Sequence, residues 1–187
     1  VNCPLSIINC NAQSIAAGGY HSLSICTDGT VRACGKNITG QLGNGTNTES
    51  DVPVHVSGLT GVVAIANGLE HSLALKNDGS VWAWGGNVDG QLGIGTKTHS
   101  NVPVLVNGLT GVVAIASGWD HSLALTNDGS VWAWGENVFG QLGNGTNTNS
   151  IVPVKVSGLP NVVGISGGAF HSLALKNDGT VWAWGYN

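Results

Sequence analysis

Charge is what this sequence has least of. Asp, Glu, Lys and Arg make up 9% of its 187 residues, against roughly a quarter in an average soluble domain. Six Lys and Arg stand against ten Asp and Glu, for a net charge of −4. Neutralising a phosphate backbone needs clustered basic residues, and six scattered ones make no cluster, so nucleic acid is excluded as a partner. Long apolar runs are missing as well. None approaches the roughly 20 residues of a membrane-spanning helix, and no membrane span is expected. Methionine is absent, so Val1 is not an initiator residue and the chain reads as a processed or excerpted product, any signal peptide already removed. Sustained helical periodicity is absent too. In its place stand 30 glycines and many valines, both poor helix residues, in a chain long enough for a real core.

The four cysteines, Cys3, Cys10, Cys26 and Cys34, all lie near the N-terminus. An even, clustered set fits one or two disulfides formed in an oxidising compartment, and an extracellular or secreted location is expected on that ground. The alternative is four buried thiols. No Cys-x2-Cys pair suggests zinc, and neither a metal nor a cofactor is expected. Asn37-Ile38-Thr39, Asn44-Gly45-Thr46 and Asn144-Gly145-Thr146 match the glycosylation acceptor pattern, a match that arises by chance in a chain this rich in Asn, Gly and Thr.

The dominant feature is a repeat of fifty residues. His21, His71, His121 and His171 keep that step, as do Asp28, Asp78, Asp128 and Asp178. GQLG recurs from Gly40, Gly90 and Gly140, and Pro53, Pro103 and Pro153 follow in step. His71, Ser72 and Asp78 supply the three side-chain types of a hydrolase triad, but four copies in one small protein argue for architecture. HSLALK alternates as a strand, which sends His71 and Ser72 to opposite faces, where they cannot work as base and nucleophile. His71 is expected to be a buried imidazole satisfying backbone groups. GQLGIGTKT, from Gly90 to Thr98, has a superficial likeness to a phosphate-binding loop. That motif needs Lys directly after its last Gly and a helix to follow; Thr96 intervenes and no helix is indicated. No catalytic residue is assigned and no enzymatic activity is expected.

Each repeat offers four strand-like runs, in the second copy Val62 to Ala66, Ser72 to Lys76, Val81 to Trp84 and Val102 to Val106, here A to D. Four strands in about fifty residues describe one blade of an all-β propeller. If Asp78-Gly79 form a two-residue type I′ turn, Leu75 faces Trp82 and Leu73 faces Trp84. One side of the blade then carries Leu73, Leu75, Trp82 and Trp84, and the other Ser72, Ala74, Val81 and Ala83. Successive blades would pack large side against small side, head to tail, making the tryptophans core rather than a ligand box.

GxxHSLAL, NDGxVWAWG, GQLGxGT and VPVxVxGL together resemble the repeat of the regulator of chromosome condensation family, over nearly the whole chain. The resemblance implies a β-propeller. The family's best-known member has seven blades and exchanges nucleotide on the GTPase Ran, and related bacterial propellers are secreted binding proteins, including an inhibitor of β-lactamases. The fifty-residue register holds without an insertion that could serve as an exchange wedge.

The expected organisation is one propeller domain, or part of a larger one, over residues 1–187: an N-terminal strand D within 1–13, then repeats 14–61, 62–111, 112–161 and 162–187, four blade equivalents in all. Pro4 to Ile8 is expected to lie beside a strand C, from the chain's own last blade or a neighbour's. Arg32 and Cys34 replace the tryptophans in the first unit, as befits a capping repeat. In the derived register Cys26 and Cys34 fall on opposite faces, so Cys34 is expected to pair with Cys3 or Cys10 instead.

Comparison of the repeats locates their individuality. The B–C turn and much of the D–A connection barely change. The A–B loops vary at Gly19-Tyr20, Leu69-Glu70, Trp119-Asp120 and Ala169-Phe170. After strand C the variable positions are Lys36, Gly86, Glu136 and Tyr186, with Thr39, Asp89 and Phe139 nearby. A–B and C–D loops leave a blade at the same end, so one face collects these residues. Aromatics on variable loops have the composition of a protein-binding face, and Tyr20, Leu69, Glu70, Asp89, Trp119, Asp120, Phe139 and Phe170 are its candidate residues. The alternative is a set of drifting surface loops with partly buried rings. A protein partner is therefore expected, or further copies of the chain in a homo-oligomer that closes the ring or forms filaments. Exchange-factor-like or inhibitor activity stands third, on the resemblance alone.

Overall fold

The computed structural model describes Cys10 and residues 12–186, and the expectations for Pro4 to Ile8 and for Cys3 lie outside that range. Among the described residues there are fifteen strands and no helix. The first sheet is β1 (Ala12–Ala17), β2 (His21–Cys26), β3 (Val31–Gly35) and β4 (Ser50–His55); the second is β5 (Val62–Asn67), β6 (His71–Lys76), β7 (Val81–Gly85) and β8 (Ser100–Leu105). The third is β9 (Val112–Ser117), β10 (His121–Thr126), β11 (Val131–Gly135) and β12 (Ser150–Lys155), and the fourth holds β13 (Val162–Gly167), β14 (His171–Lys176) and β15 (Val181–Gly185). Every sheet is an antiparallel meander with strands in sequence order. β1 starts at Ala12, two residues before the expected boundary, with a bulge between Ala12 and Ser14. The A strands β1, β5, β9 and β13 lie innermost, each against the next.

The hairpin register differs from the expected one by a residue. Leu73 faces Ala83, Leu75 faces Val81, and Ser72 faces Trp84. The reason is the turn. Gly79 alone has positive φ, at 80°, whereas a type I′ turn needs it at both central residues. Lys76 N donates to Ser80 O and Gly79 N to Lys76 O, which makes Asn77-Asp78-Gly79 a three-residue loop with a glycine bulge. Asp78 caps it by accepting from Ser80 N at 2.9 Å and Ser80 Oγ at 2.6 Å. The extra loop residue shifts every cross-strand partner. One side of the sheet carries Leu73, Leu75, Val81 and Ala83, and the other Ser72, Ala74, Trp82 and Trp84.

With the faces corrected, the head-to-tail packing stands. Leu23, Ile25, Val31 and Ala33 of the first sheet bury Ala74 and Trp84 of the second. Leu73, Leu75, Val81 and Ala83 do the same for Ala124 and Trp134, and the third sheet repeats it on Ala174. Trp84 and Trp134 are fully buried. The core is thus three layers between sheets. Among the described residues no sheet covers the trailing side of the last sheet, where Leu175 is 43% and Val181 67% exposed although their counterparts Leu75 and Val81 are buried.

Cys10 and Cys26 form a disulfide. Cys34 is also disulfide-bonded, and Cys10 is already taken by Cys26. Cys10 is therefore excluded as its partner. Cys26 and Cys34 do not pair, but the expected reason was wrong: in the observed register they share a side of the hairpin and sit at its opposite ends.

Candidate protein-binding face

The histidines hold the sheets together. His21 Nε2 lies 2.7 Å from Ser72 Oγ, His71 Nε2 2.9 Å from Ser122 Oγ, and His121 Nε2 2.9 Å from Ser172 Oγ. Each pair joins one sheet to the next, so the partner across the interface is a serine hydroxyl; at His71, Ser117 Oγ also lies 3.0 Å from Nε2, and the expected backbone contact is present to Trp119. The serine's one proton goes to a carbonyl: Ser72 Oγ donates to Gln41 O and Ser122 Oγ to Gln91 O. The imidazole Nε2 therefore carries its own hydrogen and donates to the serine. A base that holds its proton, facing a serine whose proton is committed elsewhere, activates no nucleophile. The same Gln41 and Gln91 carbonyls accept from Trp84 Nε1 and Trp134 Nε1, at 2.9 and 2.8 Å. Burial lowers the pKa of His21 and His121 to about 4 and that of His71 to about 3, keeping the rings neutral. Gly68 and Gly118 are fixed by this packing: a Cβ on either would collide with the following histidine ring and a neighbouring backbone carbonyl.

These clamps set the A–B loops side by side around the axis. Leu69 N donates to Trp119 O at 2.9 Å, and Trp119 N to Ala169 O at 3.2 Å. Within each sheet a further backbone bond ties the A–B loop to the residue after strand C: Lys36 N to Tyr20 O, Gly86 N to Glu70 O, Glu136 N to Asp120 O, and Tyr186 N to Phe170 O. The structure thereby gathers the variable positions in pairs on one end of the array. Asn37, Asn87 and Asn137 hold the C–D loops. Asn37 Nδ2 donates to Thr46 O and Thr48 O while its Oδ1 accepts from Leu42 N. Asn37 is fully buried, so its acceptor-like tripeptide presents no accessible amide.

Two chemistries share this face. The first is aromatic. Phe170 packs edge-on against Trp119 at 5.0 Å and Phe139 at 5.4 Å, and Phe139 against Tyr186 at 4.8 Å between centroids. Trp119, Phe139 and Tyr186 remain 46%, 41% and 58% exposed. The second is acidic. Asp120 accepts from Gln91 Nε2 at 2.9 Å, Glu136 from Gln141 Nε2 at 3.1 Å, and Asp89 from Asn149 Nδ2 at 2.9 Å. Burial, then the Asp89 carboxylate, raises the pKa of Asp120. Burial, then Asp120 and Asp89, does so for Glu136. At the far side Lys36 Nζ meets Glu70 Oε1 at 2.7 Å and sits 4.6 Å from the centroid of the Tyr20 ring. Among the described residues no group of three or more His, Cys, Asp or Glu is placed to hold a metal ion.

The eight candidate residues lie in the loops expected from the sequence, and the fold distributes them along one end of the array from Tyr20 to Phe170. Glu136 and Tyr186, placed on the same end by the repeat comparison, are not among those candidates, and Gln91 and Gln141, whose amides orient the acids, are missed by it. The constancy of GQLG beside variable neighbours was the available signal.

Sheets of about fifty residues, stacked head to tail with their A strands around an axis, make this a β-propeller repeat protein. Models of the regulator of chromosome condensation (RCC1) repeat match residues 28–75, 78–125 and 128–175, and 12–41, 62–91 and 112–141. The chain belongs to that family. Human WBSCR16 superimposes with a TM-score of 0.87 at 29% identity, over 98% of this chain and 50% of its own. Prp20p from Saccharomyces cerevisiae, whose structure was reported with its binding properties to Gsp1p and histones, gives 0.85 at 26% identity over 97% of this chain and 47% of its own. The complex of Kap60 with yeast RCC1 (Prp20) gives 0.84 at 26%. The chain thus spans about half the length of these structural relatives.

Proposed function

We propose that this chain is a non-enzymatic protein-binding propeller scaffold whose partner docks on the face of the A–B and C–D loops. The observation that carries the reading is the convergence of the variable A–B loop positions and those after strand C onto one end of the array, where they form a contiguous cluster of exposed and half-buried rings. Exposed apolar clusters rimmed by polar groups mark interaction sites, and buried aromatic anchors dominate interface energetics. The binding of Kap60 to yeast RCC1 (Prp20) and the binding properties of Prp20p to Gsp1p and histones support the same reading. The Cys10–Cys26 disulfide supports a secreted location. The test is Trp119→Ala with Phe170→Ala. The double variant should lose capture of the native partner while keeping its circular dichroism and melting temperature; undiminished capture would sink the proposal.

The open trailing side of the last sheet favours a second, compatible reading. With Leu175 and Val181 exposed, that side is built to receive another sheet, from a longer chain or from another copy. Sedimentation velocity of this chain separates the two. A monomer at micromolar concentration removes the copy.

A further inference from the structure

Among the described residues, the proposed face holds four carboxylates, Glu70, Asp89, Asp120 and Glu136, and one cation. Lys36 satisfies Glu70, at 2.7 Å. The other three are held by the neutral amides of Asn149, Gln91 and Gln141. No ion pair reaches them among the described residues. The repeat shows how the first unit resolves the same situation. Lys36 lies between a ring, Tyr20, and a carboxylate, Glu70 from the next sheet. The equivalent positions fifty, one hundred and one hundred and fifty residues on are Gly86, Glu136 and Tyr186. None supplies a cation, and one adds a further acid. The rings persist: Trp119, Phe139, Phe170 and Tyr186 form the exposed cluster beside Asp120 and Glu136.

We propose, on the reading that this face binds protein, that its occupant is a peptide segment presenting arginine, whose guanidinium meets Asp120, Glu136 and Asp89 while its flanks cover the aromatic cluster. Charge complementarity argues for a cation, because three carboxylates lie in one another's field with nothing of opposite sign between them. The rings argue for arginine over lysine. A planar, weakly hydrated guanidinium stacks on aromatic faces and forks onto carboxylates at once. Charge-assisted bonds to a half-buried carboxylate are also the strong ones. A divalent ion fits poorly, since no three of these carboxylates are placed to share one.

A fluorescein-labelled peptide of alternating glycine and arginine tests this against the same peptide with citrulline, which keeps the shape and removes the charge. Anisotropy would be read at about 50 and about 300 mM salt, where screening differs strongly. The expected result is binding of the arginine peptide at least about tenfold tighter than the citrulline peptide, a difference of about 1.4 kcal/mol, that shrinks at the higher salt. Asp120→Asn with Glu136→Gln should remove the preference, and Asp51→Asn, on the outer strand β4, should keep it. Equal binding of the two peptides, or an unchanged preference in the double carboxylate variant with unaltered circular dichroism, overturns the proposal. Capture of the native partner separates this failure from that of the wider reading. Loss in the Trp119/Phe170 variant but not in the carboxylate variant refutes arginine recognition alone, whereas capture by both refutes the binding face itself.

Discussion

Lowering the pH from 7.5 to 5.0 should destabilise this protein far more than its few charges suggest, because each interface between sheets contains a neutral histidine. The unfolded chain has ordinary histidines, titrating near 6.5. In the fold, burial lowers His21 and His121 to about 4 and His71 to about 3. Between these limits the unfolded state binds protons that the folded state refuses. Stability is therefore fully present above about pH 6.5 and falls as the pH drops toward 4. At pH 5 each histidine gives the unfolded state an advantage of about 2 kcal/mol, or about 6 kcal/mol for the three, with a slope near 4 kcal/mol per pH unit. That rivals the roughly 5–15 kcal/mol total stability of a typical domain. Asp120 and Glu136 oppose the trend, since their raised values favour the folded state as the pH falls. Urea unfolding at pH 7.5 and 5.0 measures the difference. His71→Gln keeps a donor for Ser122 and removes one titrating group, so it should reduce the pH dependence by about a third. Stability that changes by less than about 1 kcal/mol across this range would refute the assignment of these rings as buried and neutral.

Two further outcomes follow from the same interfaces. Ser122→Ala removes the acceptor of the His71 hydrogen bond and the donor to the Gln91 carbonyl. It should cost about 1–3 kcal/mol, because the buried Gln91 carbonyl loses a donor and His71 Nε2 keeps only Ser117 Oγ, at 3.0 Å, and a melting temperature equal to wild type would contradict that role. Replacing Cys10 and Cys26 by serine opens a link between residues 16 apart, and a loop of that size is worth about 3 kcal/mol. Hydrogen exchange in β1 and β2 should rise while β9 to β11 stay protected, and uniform protection would show that the bond constrains nothing local.

Much of this molecule can be read from its repeat. The step of His71 to His121 gives the blade, the alternation in HSLALK gives strand B, and the variable Trp119-Asp120 gives the face. The failures have physical causes. Asp78-Gly79 is read as a two-residue turn because Asp-Gly favours it, yet the Asp78 carboxylate bonds forward to Ser80 and stabilises a loop one residue longer. That one residue exchanges Trp84 and Ala83 between sides. The role of His71 is illegible locally because its partner, Ser122, lies fifty-one residues away on the next sheet. The pairing of Glu136 with Asp120 depends on a backbone bond between loops, which only the folded array reveals.

The most direct measurement is a hydrogen-exchange footprint of the chain with its captured partner. Protection should appear in the A–B loops around Glu70, Trp119, Asp120 and Phe170 and in the segment from Glu136 to Phe139. The turns at Asp78 and Asp128, at the opposite end of the array, should exchange as in the free protein. Protection centred on those turns, or on the outer strands β4, β8 and β12, would place the partner elsewhere and contradict the assignment of the variable loops as the binding face.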